Sequence, residues 1–337
     1  MIICPQPFLN MEIDASWNVF NCCPFHLPVK IGNLKENTFD EIWNSEIAIK
    51  IRQNVLNNDY SLCNLNACNH KKSDKIMLTD SLKQIFKPVM DKGPEVVTFN
   101  YDRECNIACV ICRDEVYRYK DEELKYLNEQ IETLFLPLLK SAKIVKINSH
   151  GDAFGSRHSR LLIKRVHETY PNIKFEIFTN GILANKKNIE ALNIHNNIDN
   201  IQISIHSATK ETYSKIVRNG ELYFDKLMEN LKYISELKKQ LNIYFHLFFV
   251  VTALNYQDIP KFVTLATELN ALPKMWEYRD EQLASAIRHP EYCITDANHP
   301  EHEKLIEILN DPVVLQSQIL DLSPILLEIQ RKGKINS

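Results

Sequence analysis

The 337-residue sequence predicts an α/β protein, a parallel sheet with helices outside it, led by a small cysteine-rich module. Three observations carry this expectation. From Glu95 onward, short β-rich runs alternate with amphipathic segments. Eight of the nine cysteines fall into two groups, one spread over the first 70 or so residues and one packed closely after the first run. Turn-forming and ligand-type residues follow the ends of successive runs, which is where α/β folds bind ligands.

In chain order, the N-terminal stretch carries Cys4, Cys22-Cys23, Cys63 and Cys68, with Ile31-Gly32-Asn33 and Thr38-Phe-Asp-Glu41-Ile-Trp43-Asn44-Ser45 between them. Thr38 and Glu41 form a capping box, so a helix starts there and turns Ile42 and Trp43 toward a small core. Lys87-Pro88 to Gly93-Pro94 is a hinge. The β runs are Val96–Tyr101, Lys143–Ser149, Ile173–Thr179, Ile201–Ser207, Ile243–Thr252 and Leu272–Tyr278, with helices expected over 121–139, 157–169, 186–194, 209–240 and 256–270. Six such alternations make an α/β barrel or part of one. After about Glu281 the chain is rich in His and Pro (His289-Pro290, His299-Pro300-Glu301-His302) and ends in helix. The expected divisions are 1–86, 87–282 and 283–337.

A formal net charge of -3 offers no electrostatic footprint for nucleic acid or anionic lipid. No secretory signal is visible, and the most apolar stretch, Leu241 to Leu254, is interrupted by Asn242 and His246 and too short to span a bilayer. A soluble, cytoplasmic protein is expected, with neither nucleic acid nor membrane as partner. In that compartment nine cysteines argue for metal or redox chemistry over disulfides. Only seven glycines occur, and Gly151, Gly155, Gly181 and Gly220 follow apolar runs or helical patterns, where backbone turns tightly or meets a ligand.

The segment Tyr101-Asp-Arg-Glu-Cys105-Asn-Ile-Ala-Cys109-Val-Ile-Cys112 has C-x3-C-x2-C spacing. Three thiolates on a four-iron cube leave one iron open to a small molecule with N and O donors. Structural zinc is the alternative, although its ligands usually come as two close pairs. The loop that follows the second run is His150-Gly151-Asp152, the third Asn180-Gly181 and the fourth His206-Ser207, so these residues converge on one mouth.

The cysteine loop resembles that of the radical S-adenosylmethionine (SAM) superfamily, and the likeness extends from residue 95 to about 280. Ser149-His150-Gly151-Asp152 resembles the family's glycine-rich motif, Phe178-Thr-Asn180-Gly181 its third-strand end, Ile203 to Arg218 its fourth-strand segment, and Val250-Val251-Thr252-Ala-Leu-Asn255 its fifth-strand end. Residues 1 to about 70 are similar to a SPASM or twitch module, which ordinarily follows the barrel. Three departures stand out: His150 where glycine is frequent, Asp152 where glutamate is, and Ile111 where an aromatic is.

The resemblance implies a partial (β/α)6 barrel and two [4Fe-4S] clusters. Cys105, Cys109 and Cys112 would hold the SAM-binding cluster. Cys4, Cys22, Cys63 and Cys68 would hold an auxiliary one, with Cys23 able to replace Cys22. SAM would meet Gly151, Asp152 (accepting from its amino group), Asn180, Ser204, Arg218, Val251 and the backbone of Ile111. Ile111, Phe154 and Val251 would also wall off water. A flavodoxin or ferredoxin would donate electrons.

The expected substrate is a small polar molecule, a sugar, nucleotide sugar or aminocyclitol, undergoing dehydrogenation or epimerisation. Peptide maturation is the alternative, although peptide-modifying relatives often carry a winged leader-binding module where this chain has its cysteine module. A non-catalytic metal-binding interaction protein explains the cysteines but not the placement of Asp152, Ser204 and Arg218. Cys293, outside both cysteine sets, is either a hydrogen-atom donor for epimerisation or an inert packed thiol. Trp276, Tyr278, Arg279 and Asp280 end the sixth run as pocket lining or as core and surface pairs. His289, His299 and His302 have capping and loop roles or touch substrate.

Overall fold

The structure, a computed structural model, describes residues 2–65, 68, 76–77, 79–147, 150–279 and 289–335. Ser149 and Asp280 lie outside the described residues. The chain forms two compact units, one of residues 1–103, 119–150 and 161–176, the other of 104–118, 151–160 and 177–337.

In the first unit β1 (Ile2–Ile3) pairs antiparallel with β5 (Ile76–Met77). Strands β2 (Asn10–Asp14), β3 (Asn18–Phe20) and β4 (Gly32–Asn33) form an antiparallel meander. The turn into β3 is built on Asp14, whose Oδ1 accepts from the backbone N–H groups of Ser16 and Asn18. Beyond the meander, β2 runs parallel to β6 (Val96–Asn100), from Asn10 opposite Val96 to Asp14 opposite Asn100, and β6 runs parallel to β7 (Ile144–Ile147). The N-terminal stretch therefore adds a parallel strand that the sequence reading lacks. The helix Phe39–Trp43 starts as expected: Thr38 Oγ1 accepts from Glu41 N, and Glu41 Oε2 accepts from Thr38 N at 2.8 Å.

Arg52 is fully buried in this unit, and among the described residues its guanidinium is bound by neutral acceptors. Its guanidinium donates to Pro7 O (3.0 Å), Asn44 Oδ1 (3.1 Å), Pro88 O (3.2 Å) and Trp43 O (2.9 Å), and it lies over the Trp43 ring. Burial draws its pKa down to about 10, so it stays charged at neutral pH.

The strand β8 (Lys174–Thr179) has residues in both units. In the second unit β9 (Ile198–Ser204), β10 (Tyr244–Val251), β11 (Leu272–Glu277) and β12 (Asp321–Leu322) run parallel and in order. The side chains of Ile201, Ile203, Phe245, Leu247, Phe249, Val251 and Met275 are completely buried on one face. The helix Phe224–Leu241 contributes Leu227, Leu231 and Ile234 to the core at helical spacing; each such burial is worth about 1.5–3 kcal/mol. The alternate residues Ser204, His246, Phe248, Lys274 and Trp276 point the other way and are only half-buried.

Two helices depart from expectation. The segment 209–240 breaks into Lys210–Ile216 and Phe224–Leu241. Asn219 adopts φ 56°, and a Cβ on Gly220 would come within 2.9 Å of Ser214 Cα, so the Asn-Gly pair makes a turn instead of continuing the helix. The segment 121–139 contains a π-helical turn over Ile131–Phe135, immediately before Pro137. A proline ring crowds the carbonyl four residues back, and widening the helix relieves that clash. Among the described residues no helix is long and apolar enough to cross a membrane.

Replacing Arg52 with Met should destabilise the first unit by at least ~3 kcal/mol, because four buried acceptors lose their donor together. Urea denaturation monitored by tryptophan fluorescence measures this.

Candidate functional site

The cysteine loop is held by its own flanks and by three other segments of the second unit. Cys105 N donates to Tyr117 O at 3.2 Å, closing the loop at its base. Val110 N donates to Ile216 O and Arg218 N to Ala108 O, both at 2.9 Å, so the middle of the loop forms a short antiparallel ladder with 216–218. Glu104 is fully buried, and its carboxylate takes Arg157 N (2.8 Å), Arg157 Nε (2.9 Å) and a longer ion pair to Arg118 (3.5 Å). This ties the loop to the first turn of the helix Arg157–Thr169.

Asp152, expected to accept from the amino group of SAM, is tied into the surrounding backbone. It is 1% exposed, and both oxygens are occupied by the chain: Oδ1 accepts from Phe154 N (3.1 Å) and Gly155 N (2.7 Å), Oδ2 from Thr179 Oγ1 (2.8 Å) and Asn180 N (2.6 Å). Burial raises its pKa, and these four bonds oppose the rise. A carboxylate so enclosed orders the surrounding loops. The tight approach falls at Gly155, where a Cβ would sit 2.3 Å from Asn106 Oδ1 and 3.2 Å from Asn106 N.

Asn180 touches the loop directly. Its Nδ2 donates to Asn106 Oδ1 at 2.9 Å and to Cys105 Sγ at 3.8 Å. Gly151 is half-buried beside Asp152, and Ile111 is buried. Ser204 faces the half-buried side of β9 with Phe248 opposite it on β10. Val251 lies on the other side of β10, fully buried, and its carbonyl accepts from Tyr278 N; Val250 shares the half-buried face with Trp276. Phe154 is also fully buried. Arg218 is half-exposed, with Nη2 at 3.7 Å from Asp114 Oδ1, too long for a hydrogen bond.

Burial pushes the Cys105 thiol up to about 11, with the Asp152 charge adding to it, and also raises Cys109, with Cys112 and Cys105 contributing. Two desolvated thiols that, with Cys112, would repel one another as thiolates suit a shared cationic acceptor. Among the described residues no three His, Cys, Asp or Glu side chains are arranged to hold a single metal ion.

In the first unit, Cys4, Cys22, Cys63 and Cys68 line one cavity with Tyr60 and His26, and Cys23 is not in its lining. Tyr60 braces it, accepting from Cys4 N at its hydroxyl (3.1 Å) and from Cys63 N at its carbonyl (2.9 Å). Burial, then Cys23, Cys4 and Cys68, raises the Cys22 pKa. Cys23, pushed up to about 11 by burial and the Glu12 charge, accepts from the N–H groups of Phe25 and His26. Four thiols around one cavity fit a fully ligated cluster.

Sequence reasoning missed Glu12, Glu104, Asn106 and Arg113. Glu12 is buried on β2, accepts from Asn100 Nδ2 at 3.1 Å and has its pKa raised to about 7 by burial. Its signal was an acid between Met11 and Ile13 in an alternating run. Arg113 donates to Cys112 Sγ at 3.6 Å. Cys293 is half-buried in a turn after Pro290–Tyr292, and Tyr292 O accepts from Ala253 N just past β10. His299 Nε2 contacts Glu291 O and His302 Nδ1 contacts Ile294 O, so both brace this segment.

Residues 100–266 match the Radical SAM superfamily, and residues 4–69 match SPASM, an iron-sulfur cluster-binding domain. The chain belongs to the radical SAM superfamily and carries a SPASM module, here ahead of the barrel region. Its domains imply [4Fe-4S] clusters and SAM as cofactors. The chain is 28% identical over 131 residues to the FeMo cofactor biosynthesis protein NifB of Methanocaldococcus infernus, covering 36% of this chain and 42% of that protein. The NifB of Methanocaldococcus jannaschii gives the same identity and coverage. The chain thus spans less than half the length of these curated relatives. Among solved structures, Streptococcus suis SuiB bound to S-adenosylmethionine is similar at 17% identity and TM-score 0.44, over 84% of this chain and 62% of that one. SuiB bound to precursor peptide SuiA is similar at 13% and 0.49, over 98% and 75%.

Two outcomes are expected. Gly155→Ala should lower iron retained per chain after anaerobic reconstitution, since the added methyl displaces Asn106 from the cysteine loop; iron analysis checks this. His206 and His246, both drawn down to about 4 chiefly by burial, are neutral in the fold, whereas unfolded histidine titrates near 6.5. Their contribution is complete above pH 6.5 and is lost as pH falls toward 4. Urea midpoints should decline across that window, and His246→Gln should flatten the decline.

Proposed function

We propose that this enzyme uses SAM to remove a hydrogen atom from a small polar substrate, a sugar, nucleotide sugar or aminocyclitol, in a dehydrogenation or epimerisation. The half-buried face of β9, β10 and β11 carries this reading. There Ser204 and Phe248 stand in register with Lys274, and Val250 with Trp276. Hydroxyl, ammonium and imidazole groups interleaved with aromatic rings suit a substrate ring that is apolar on its faces and oxygenated at its edge.

In this reading Cys105, Cys109 and Cys112 ligate one cluster, and Cys4, Cys22, Cys63 and Cys68 the other. The first cluster, when bound, supplies the electron that splits SAM into methionine and the 5′-deoxyadenosyl radical that abstracts hydrogen. The chain's residues bind, orient and shield. Ser204 and Arg218 contact the ribose and carboxylate of SAM, Gly151 and Asn180 border it, and Ile111 and Val251 serve the adenine through backbone groups. Asp152 acts from behind, fixing Asn180 and the 154–155 turn. Cys293 returns hydrogen in an epimerisation. Residues 1–86, 87–282 and 283–337 divide the work into auxiliary module, barrel and helical extension, with a flavodoxin or ferredoxin as cytoplasmic reductant.

Anaerobically reconstituted protein should hold about eight irons per chain, and the triple Cys105, Cys109, Cys112 to Ala variant about half of that. Dithionite-reduced wild type should form 5′-deoxyadenosine, Cys109→Ala should not, and Cys63→Ala should lose substrate turnover more than cleavage. Arg218→Ala should weaken SAM binding by about tenfold, the worth of one charge-assisted contact. Cys293→Ala should still cleave SAM but place no solvent deuterium in the product. Cleavage coupled to peptide alone, with no turnover of polyols, would overturn the substrate class.

A further inference from the structure

Two of the three loop cysteines receive a side-chain N–H on sulfur. Arg113 Nη2 lies 3.6 Å from Cys112 Sγ, and Asn180 Nδ2 lies 3.8 Å from Cys105 Sγ. Among the described residues Cys109 has no such side-chain donor. The two donors arrive from different parts of the chain, one adjacent to the last cysteine and one from the end of β8.

Asn180 is held to this task by other groups. Asn180 N is bound to Asp152 Oδ2 at 2.6 Å, and Asn180 Oδ1 accepts from Ile182 N at 3.1 Å. The acceptor end of the amide is thereby committed, which fixes the amide orientation and leaves Nδ2 for Asn106 and Cys105. Arg113 is half-buried and keeps its charge at all relevant pH. A loop whose cysteines needed only to be spaced correctly would not require a cation on one sulfur and an oriented amide on another.

We propose that Arg113 and Asn180 are positioning residues that set the reduction potential of the cluster on Cys105, Cys109 and Cys112, raising it by donating to two of its thiolate sulfurs. One-electron reduction adds negative charge that is shared with the sulfurs, so N–H donors and a nearby cation favour the reduced form more than the oxidised one. The inference rests on these three cysteines being the cluster ligands.

The test is a potentiometric titration of the full-length, anaerobically reconstituted protein. Electron paramagnetic resonance reads the reduced-cluster signal that changes on adding SAM, and iron content is measured alongside. Arg113→Met should lower the reduced-to-oxidised ratio at the wild-type midpoint about tenfold, a shift of about 59 mV to more negative potential for one electron. Arg113→Lys should restore most of that ratio, and Asn180→Leu should lower it about threefold. Should Arg113→Met fail to fold, Asn180→Leu and the lysine variant still give the comparison. Midpoints equal to wild type in Arg113→Met and Asn180→Leu, with iron intact, overturn the proposal and leave the cluster assignment standing. Equal loss of iron from the methionine and lysine variants also overturns it, in favour of a structural role. Wild-type protein that takes up no cluster on these cysteines overturns both.

Discussion

The buried carboxylate of Asp152 sets the geometry on which the cysteine loop depends. Four donors converge on its two oxygens, two from the turn that follows β7 and two from the end of β8. A charge this far from water persists only when its hydrogen-bonding capacity is filled from within. Each bond therefore constrains the backbone that supplies it. Gly155 is drawn in until only a glycine clears Asn106, and Asn180 is set so that its amide meets Cys105. Glu104, also buried, performs the matching task from the loop side by gathering Arg157 and Arg118. Asp152 N in turn donates to Glu104 O at 3.0 Å, so the two carboxylate centres share one backbone link.

The N-terminal unit is organised by the opposite charge. Arg52 has neutral acceptors where Asp152 has neutral donors, and three of the four are backbone carbonyls from separate stretches: Pro7, Trp43 and Pro88. Pro7 lines the cavity that the four cysteines surround. A small module has little apolar area with which to fix such distant stretches. A planar cation with five N–H groups joins them at one point and orients them at the same time.

Much of this was legible in the sequence because it rests on local patterning. The six β runs, the capping box at Thr38 and Glu41, and the two cysteine groups each follow from spacing within a few residues. Features decided by distant residues were not legible. Strand β2 reads as a short mixed run, and only its register with β6 makes it part of the parallel sheet. Val251 illustrates a parity problem. Tyr244 to Val251 is apolar on both faces for most of its length, so sequence does not say which of Val250 and Val251 turns toward the helices. Asp152 was recognisable as a charged residue in a ligand-type loop. Its enclosure depends on Thr179 and Asn180, which lie 27 and 28 positions away.

The two cysteine groups also sit in different electrostatic surroundings, a difference that bears on how readily each centre would accept an electron. Arg113 stands against a sulfur of the Cys105–Cys112 loop. Near Cys22 and Cys23 the acting side-chain charge is Glu12, an acid that raises both thiols and whose own pKa burial lifts to about 7. A raised carboxyl pKa leaves Glu12 neutral below that value and charged above it. On the other loop the charge beside sulfur is the permanent cation of Arg113. The sequence supplies that contrast through two residues, an acid inside an apolar β run and an arginine directly after the last cysteine.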